Sequence, residues 1–154
     1  MSTTASTDRF QKEIVLRAPR SRVWRALSQS EEFATWFGLR LNGAFAPGAK
    51  VSGTIVDPPG YEHLDFEVFV ERVEPERLMS FRWHPYAIDP KADYSSEPTT
   101  LVELTLEEVA GGTRLTVSES GFDKIPEHRR AEAYRSNQGG WEEQLKRIAR
   151  HVEK

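Results

Sequence analysis

The C-terminal third of the chain shows two clear periodicities of apolar residues. Apolar and polar side chains alternate over residues 113–120, which predicts a β-strand. Further on, an apolar stripe recurs at spacings of four and three residues, which predicts one face of a long amphipathic helix opened by Pro126. The stripe consists of Tyr134, Gln138, Trp141, Leu145, Ile148 and Val152.

The middle of this predicted helix departs from the pattern. Asn137 and Gln138 are polar and are followed by Gly139 and Gly140, although a glycine in a helix interior costs about 1 kcal/mol relative to alanine. We interpret these small and polar residues as a sign that the fold leaves room beside the helix for a bound molecule.

The rest of the pattern predicts one strand, two short helices and several further strands. Pro19 ends the first strand, Ser21 is a candidate N-cap of the first short helix, and Gly38 ends the second. Residues 85–98 contain three prolines and predict a long irregular loop, either a lid or simply a mobile segment. The predicted strands are 9–17, 50–56, 63–73, 77–84, 99–109 and 113–120, and the short helices are 21–27 and 31–37.

These elements predict an α+β fold in a single domain. Strands joined by hairpins favour an antiparallel sheet, and the apolar stripe of the long helix is buried most simply across the concave face of a curved sheet. We therefore expect about six to seven strands wrapped around the C-terminal helix over residues 9–154. Residues 1–8 are expected to form a disordered, solvated tail.

Composition narrows the range of functions. The 154 residues carry a net charge of −3, which gives nucleic acid no basic surface to bind. No apolar run approaches the length of about 18 residues that a membrane-inserted helix needs. There is no cysteine and the four histidines are scattered, so we expect no metal site and no cofactor. The first residues do not resemble a secretory signal, which favours a cytoplasmic protein.

Several short segments, taken together and in order, resemble a known family. They are residues 18–27, 34–37, 73–83, 111–116, 119–122 and 139–145. The set resembles the START-like, birch-pollen-allergen-like (SRPBCC) superfamily, and within it bacterial proteins similar to the C-terminal domain of the activator of the ninety-kilodalton heat-shock protein ATPase. The resemblance implies a helix-grip fold with a cavity between sheet and helix. Members bind lipids, hormones or polyketides and some are cyclases or aromatases, but the family has no fixed catalytic motif to transfer.

Five large aromatic residues are candidates for the wall of such a cavity. The proposed fold would bring them around one space, and an apolar pocket is the usual environment of a small-molecule ligand. The alternative is that they only pack the core, where aromatic rings supply large contact areas. They are Trp36, Phe37, Trp83, Phe122 and Trp141.

Glu119 is the most distinctive polar candidate. Alternation places it on the inner face of its strand with Leu115 and Val117, where burial should raise the pKa of its carboxyl. It is therefore a candidate general acid or base, or an anchor for a ligand hydroxyl. The alternative is that the chain near Gly121 turns the side chain to the cavity mouth, where water satisfies it.

The polar and small residues of the long helix have two interpretations as well. Asn137 and Gln138 are candidate ligand-binding amides, and Gly139 and Gly140 would let a ligand or a strand backbone approach the helix closely. Alternatively, the glycines mark a kink and the amides cap the carbonyls around it.

Three functions follow from these observations. The first is a small soluble protein that binds an apolar, lipid-, polyketide- or aromatic-like molecule between sheet and helix. The second is a cyclase- or dehydratase-type enzyme with Glu119 as acid or base, although the sequence supplies no second catalytic group. The third is a chaperone-regulator-like partner protein, which the family resemblance alone suggests. We expect a binding protein rather than an enzyme, and the sequence fixes neither the ligand nor the oligomeric state.

Overall fold

The computed structural model describes residues 8–57, 65–87 and 91–153 and has the α+β architecture that the sequence predicts. The strands are β1 (Arg9–Leu16), β2 (Leu39–Asn42), β3 (Lys50–Ile55), β4 (Asp65–Glu74), β5 (Leu78–Trp83), β6 (Thr100–Val109) and β7 (Gly112–Ser120). The helices are α1 (Arg20–Ser28), α2 (Ser30–Phe37) and α3 (Glu127–Val152), with a 3-10 turn at Phe122–Lys124.

The seven strands form one antiparallel sheet in the order β1-β7-β6-β5-β4-β3-β2. Consecutive strands are neighbours except that β1 pairs with β7, so the first and last strands lie side by side. Side chains alternate across each strand, and those that face α3 form the core. In β7 this inner face carries Thr113, Leu115, Val117 and Glu119, all buried.

The two short helices follow β1 as the pattern predicts, with one correction at the start. Helix α1 begins at Arg20, and its cap residue is Pro19 rather than the predicted Ser21. The backbone N–H groups of Arg22 and Val23 both donate to the carbonyl of Pro19. Helix α2 ends at Gly38. Glycine is required at this position because its φ is 92° and because a neighbouring backbone lies close to its Cα. A Cβ at this position would lie 2.4 Å from the carbonyl oxygen of Asp57.

Helix α3 is a single helix of 26 residues that crosses the inner face of the sheet. Its buried residues are Ala133, Trp141, Leu145, Ile148 and Val152, so the predicted stripe is confirmed in its C-terminal half. Polar contacts join α3 to β1: the Tyr134 hydroxyl donates to the carbonyl of Arg9, and Lys12 Nζ lies 2.6 Å from Glu142 Oε1.

The helix-grip fold is therefore confirmed, with small differences at the edges. The short strand β2 follows α2 directly and was not predicted as a separate element. The predicted tail at residues 1–8 lies outside the described residues except for Asp8, whose carbonyl accepts hydrogen bonds from Gly121 and Phe122. No described helix has the length and apolar character needed to span a membrane.

Candidate functional site

Glu119 lies at the centre of the interface between the sheet and α3, with no exposed surface. Oε2 accepts hydrogen bonds from Thr100 Oγ1 at 2.6 Å, Trp83 Nε1 at 2.8 Å and Asn137 Nδ2 at 2.9 Å. Oε1 accepts one from Trp141 Nε1 at 3.1 Å. Two strands and the long helix thus each direct donors at one carboxyl group, and the alternative position at the cavity mouth is excluded.

The Glu119 carboxyl is held by neutral donors rather than by a positive charge. Within the described ranges, no lysine, arginine or histidine forms an ion pair with it. Burial raises the pKa of Glu119 above its ordinary value, and the four hydrogen bonds act in the opposite direction without cancelling that effect. The direction of this shift is the one that the sequence predicted.

Aromatic rings pack against one another around Glu119, in the region where the sequence analysis expected a cavity. The indoles of Trp83 and Trp141 stack with centroids 5.8 Å apart, and Phe37 packs edge-on against Trp141 at 5.8 Å. Phe66 packs against Trp83 at 5.9 Å. Both indole N–H groups donate to Glu119, so the two rings lie together beside its carboxyl group.

An open cleft of about 240 Å³ persists beside this cluster, where β3, β4 and β5 face the N-terminal half of α3. Trp83 and Asn137 form part of its wall, and both are bonded directly to Glu119. Glu119 itself does not line the cleft. The described lining consists of Phe37, Ile55, Asp65, Phe66, Glu67, Trp83, His84, Tyr86, Ala87, Ser136 and Asn137.

The five candidate aromatics are divided between two groups of rings. Phe37, Trp83 and Trp141 belong to the cluster at Glu119, whereas Phe122 is fully buried against Phe10 and Tyr134, at 5.8 Å and 5.2 Å. Trp36 is buried at the junction of the short helices and packs edge-on against Phe37 at 5.5 Å, so it borders the cluster at Glu119. Its indole N–H donates to the carbonyl of Ala26 at 2.8 Å, so its polar atom joins α1 to α2.

The polar and small residues of α3 also separate into different roles. Asn137 lines the cleft and bonds Glu119, whereas Gln138 is half-buried and is not part of the described lining. Gly139 and Gly140 are exposed, and a Cβ on either would meet nothing within 4 Å. No strand backbone of the described chain approaches either glycine, because both lie on the solvent side of the helix.

Arg129 is a functional candidate that the sequence analysis missed. Its guanidinium bonds Glu97 through Nε and Nη2 at 2.9 and 2.7 Å, and Nη1 donates to the carbonyls of Pro85 and Tyr86. The guanidinium carbon also lies 4.8 Å from the ring centroid of Tyr94. Arg129 thereby fastens both ends of the loop between β5 and β6 to α3.

The loop held by Arg129 contributes directly to the cleft. Tyr86 lines the cleft and has a φ of 53°, a left-handed conformation that is unfavourable for a bulky residue. His84 Nε2 lies 3.0 Å from the carbonyl oxygen of Glu97, which adds a second bond between the ends of the loop. The contacts at this site thus hold Tyr86 in a conformation that an isolated chain would rarely adopt.

The comparisons with known proteins agree with this fold. The sequence pattern of the family described as Activator of Hsp90 ATPase homolog 1-like protein matches residues 17–153. Searches of curated proteins gave no match.

Three solved structures illustrate the likeness. DynU16, a protein of the dynemicin biosynthetic locus, is 27% identical to this chain and matches it with a TM-score of 0.72. The match covers 95% of this chain and 47% of DynU16, so this chain spans about half the length of DynU16. Protein MLL2253 from Mesorhizobium loti is 26% identical with a TM-score of 0.70, over 92% of this chain and 94% of its own. The Aha1 dimer from Colwellia psychrerythraea shares the fold at 14% identity, with a TM-score of 0.68 over 94% and 96%.

Proposed function

The chain belongs to the Activator of Hsp90 ATPase homolog 1-like protein family, and we propose that it binds a small aromatic molecule in the cleft between β3–β5 and α3. The observation that carries this proposal is the cleft of about 240 Å³ walled by four aromatic side chains, Phe37, Phe66, Trp83 and Tyr86. An apolar lining with a few fixed polar groups is typical of small-molecule sites.

The size of the cleft limits the ligand. Ligand pockets usually measure about 300–1,000 Å³, and an apolar cavity of about 150 Å³ is enough for benzene. At about 240 Å³, the cleft fits one or two fused rings better than a long acyl chain. The likeness to a protein of the dynemicin biosynthetic locus supports a biosynthetic molecule as the ligand.

Glu119 acts in this proposal as a positioning residue. Its carboxyl group accepts hydrogen bonds from the Trp83 indole and the Asn137 amide and so fixes two of the groups that line the cleft. An acid or base must reach the atom from which it takes or to which it gives a proton. Since Glu119 is enclosed by four donors and lies behind the wall, we favour binding over cyclase- or dehydratase-type chemistry.

The proposal is tested by filling the cleft rather than truncating its wall. Ser136 is exposed on α3 and lines the cleft, so Ser136→Trp should block it. Ala131 is an exposed residue of the same helix outside the described lining, which makes Ala131→Trp a matched control. Native mass spectrometry of freshly purified protein should find a bound small molecule on the parent chain and on Ala131→Trp, and not on Ser136→Trp. Equal occupancy in both variants would contradict the proposal.

A second candidate function, regulation of an Hsp90-type chaperone in the cytoplasm, is supported by the family description. Among the described residues, Val15 is the exposed large hydrophobic residue, at 46%, so such an interface would be mainly polar. Addition of the protein to a cognate chaperone should then raise its ATPase rate, and an unchanged rate at saturating protein would rule this function out.

A further inference from the structure

Two peptide groups of the loop between β5 and β6 converge on one nitrogen atom of α3. Arg129 Nη1 donates to the carbonyl of Pro85 at 2.7 Å and to the carbonyl of Tyr86 at 3.3 Å. These carbonyls belong to the peptide groups on either side of the Tyr86 Cα. Because a peptide group is planar, the orientations of these two groups define φ and ψ of Tyr86. Arg129 therefore fixes the backbone conformation of Tyr86 as well as the position of the loop.

The conformation of Tyr86 needs support from outside the loop. Its φ of 53° lies in the left-handed region, which a residue with a bulky side chain rarely occupies. The Tyr86 side chain packs partly buried against the core and lines the cleft. A relaxed backbone at this residue would direct the side chain elsewhere, so the position of one aromatic wall of the cleft depends on Arg129.

The Arg129 side chain is itself anchored. Nε and Nη2 donate to Glu97 Oε1 at 2.9 and 2.7 Å, and the two side chains of this ion pair are only 11% and 20% exposed. Glu97 is held in turn, because its carbonyl oxygen lies 3.0 Å from His84 Nε2. A guanidinium is planar and carries five N–H donors, so it can bind a carboxylate and two carbonyls at once, whereas an ammonium group is a single point of charge.

Helix electrostatics disfavours a cation at this position. Arg129 is the third residue of α3, and its backbone N–H donates to the carbonyl of Pro126. The first turn of a helix carries a partial positive charge, which repels a cationic side chain. The location of Arg129 is thus explained by the loop that it binds and not by the stability of its own helix.

We infer that Arg129 is a positioning residue of the ligand site, which sets the affinity of the cleft for aromatic molecules by fixing Tyr86 in the cleft wall. Without the guanidinium, ordering the backbone of Tyr86 becomes part of the cost of binding. Loss of Arg129 should therefore weaken binding by about five- to thirtyfold. The inference rests on the proposed function and adds a residue outside the described lining that controls the same site.

The test measures the affinity of β-naphthol, a bicyclic aromatic probe, for the parent chain, Arg129→Met and Arg130→Met. Binding is followed by the indole N–H signal of Trp83 in proton–nitrogen correlation spectra, because Trp83 lines the cleft. Arg129→Met should bind the probe about five- to thirtyfold more weakly than the parent chain. Arg130→Met removes the neighbouring half-buried arginine, which bonds the Ile125 carbonyl, and should bind the probe like the parent chain.

A signal from the buried cluster shows whether the variants are folded. The Trp141 indole N–H donates to Glu119, away from the loop. Its signal in the ligand-free spectra should therefore be unchanged in Arg129→Met and Arg130→Met, at a temperature well below unfolding of both variants.

A double-mutant cycle separates positioning of Tyr86 from general loosening of the fold. Tyr86→Ala removes the side chain that Arg129 positions. In the Tyr86→Ala background, Arg129→Met should cause little further loss of affinity for β-naphthol, because the two residues act through the same wall of the cleft. A loss of equal size in both backgrounds would overturn the inference.

The remaining outcomes separate this inference from the function on which it rests. If β-naphthol binds Arg129→Met as tightly as the parent chain, the inference is overturned and aromatic binding in the cleft stands. The same holds if Arg130→Met weakens binding as much as Arg129→Met. If β-naphthol leaves the Trp83 signal of the parent chain unchanged at saturating concentration, aromatic binding in the cleft fails and the inference fails with it.

Discussion

Replacing Glu119 with glutamine tests the electrostatics of the buried cluster directly. The introduced amide keeps one oxygen, which is best placed where Oε2 now accepts from Thr100, Trp83 and Asn137. Its NH₂ group then faces the Trp141 N–H, which loses its acceptor. A buried donor without a partner costs about 1–3 kcal/mol, so Glu119→Gln should lower the melting temperature by roughly 2–12 °C at mildly acidic pH.

The pH dependence of this loss carries the decisive information. Burial raises the pKa of Glu119 in the folded state above the ordinary value of 4.5. Between the ordinary pKa and the folded pKa, the folded state therefore binds more protons than the unfolded state. The contribution of Glu119 to the free energy of unfolding is therefore fully present below the ordinary pKa and is lost as the pH rises through the folded pKa. The difference in unfolding free energy between the parent chain and Glu119→Gln should accordingly shrink as the pH rises.

Glu32 supplies a control with the opposite sign. Its burial tends to raise the pKa, but hydrogen bonds from His151, Arg22 and Arg25 hold the pKa below the ordinary value. The contribution of Glu32 is present above the ordinary pKa and is lost as the pH falls, so the difference between the parent chain and Glu32→Gln should grow with pH. Urea unfolding at several pH values measures both differences. A difference for Glu119→Gln that stays flat or grows with pH would refute a raised pKa.

Two further predictions concern residues outside the Glu119 cluster. Arg129→Met breaks a mostly buried ion pair and releases Tyr86, so it should lower the free energy of unfolding by about 2–3 kcal/mol and increase amide hydrogen exchange over residues 84–87 and 91–99. The control is Arg130→Met, which loses one bond to the Ile125 carbonyl. Unchanged exchange in Arg129→Met would contradict the role of Arg129. Gly139→Ala and Gly140→Ala should each raise stability by up to about 1 kcal/mol in chemical denaturation, because both sites are exposed and open; a loss of stability would show that a glycine is required there.

The sequence predicted most of the fold because its signals are local. Apolar residues that repeat every two positions mark the buried face of a strand, and those that repeat about every 3.6 positions mark the buried face of a helix. Neither pattern depends on residues that are distant along the chain. The exceptions are also local in origin. Strand β2 has four residues, too few for a periodicity to be read, and α1 begins at Arg20 because Pro19 supplies the carbonyl acceptors where a side-chain cap at Ser21 was expected.

The candidate site was predicted less completely because its partners are distant along the chain. Alternation on β7 correctly placed Glu119 inward, and burial correctly gave the direction of its pKa shift. Nothing in the sequence joins Glu119 to Trp83, 36 positions away, or distinguishes Thr100 from an ordinary strand threonine. Arg129 resembled a solvated residue in the first turn of an amphipathic helix, since its partners lie on a loop more than 30 positions earlier.

The hydrogen-bond inventory around Glu119 links the core to the cleft. Of the four partners, the two indole N–H groups can only donate, Asn137 can accept a hydrogen bond only if its amide rotates to present Oδ1, and the Thr100 hydroxyl can accept one by rotating its hydrogen alone. A protonated Oε2 would donate to Thr100 and keep fewer lone pairs for Trp83 and Asn137, the two partners that line the cleft. An ionised carboxylate satisfies all four donors but carries the full penalty of burial. The geometry of the cleft wall and the ionisation of Glu119 are therefore coupled through the same two bonds, and the glutamine variant, which permanently removes one acceptor, measures the strength of that coupling.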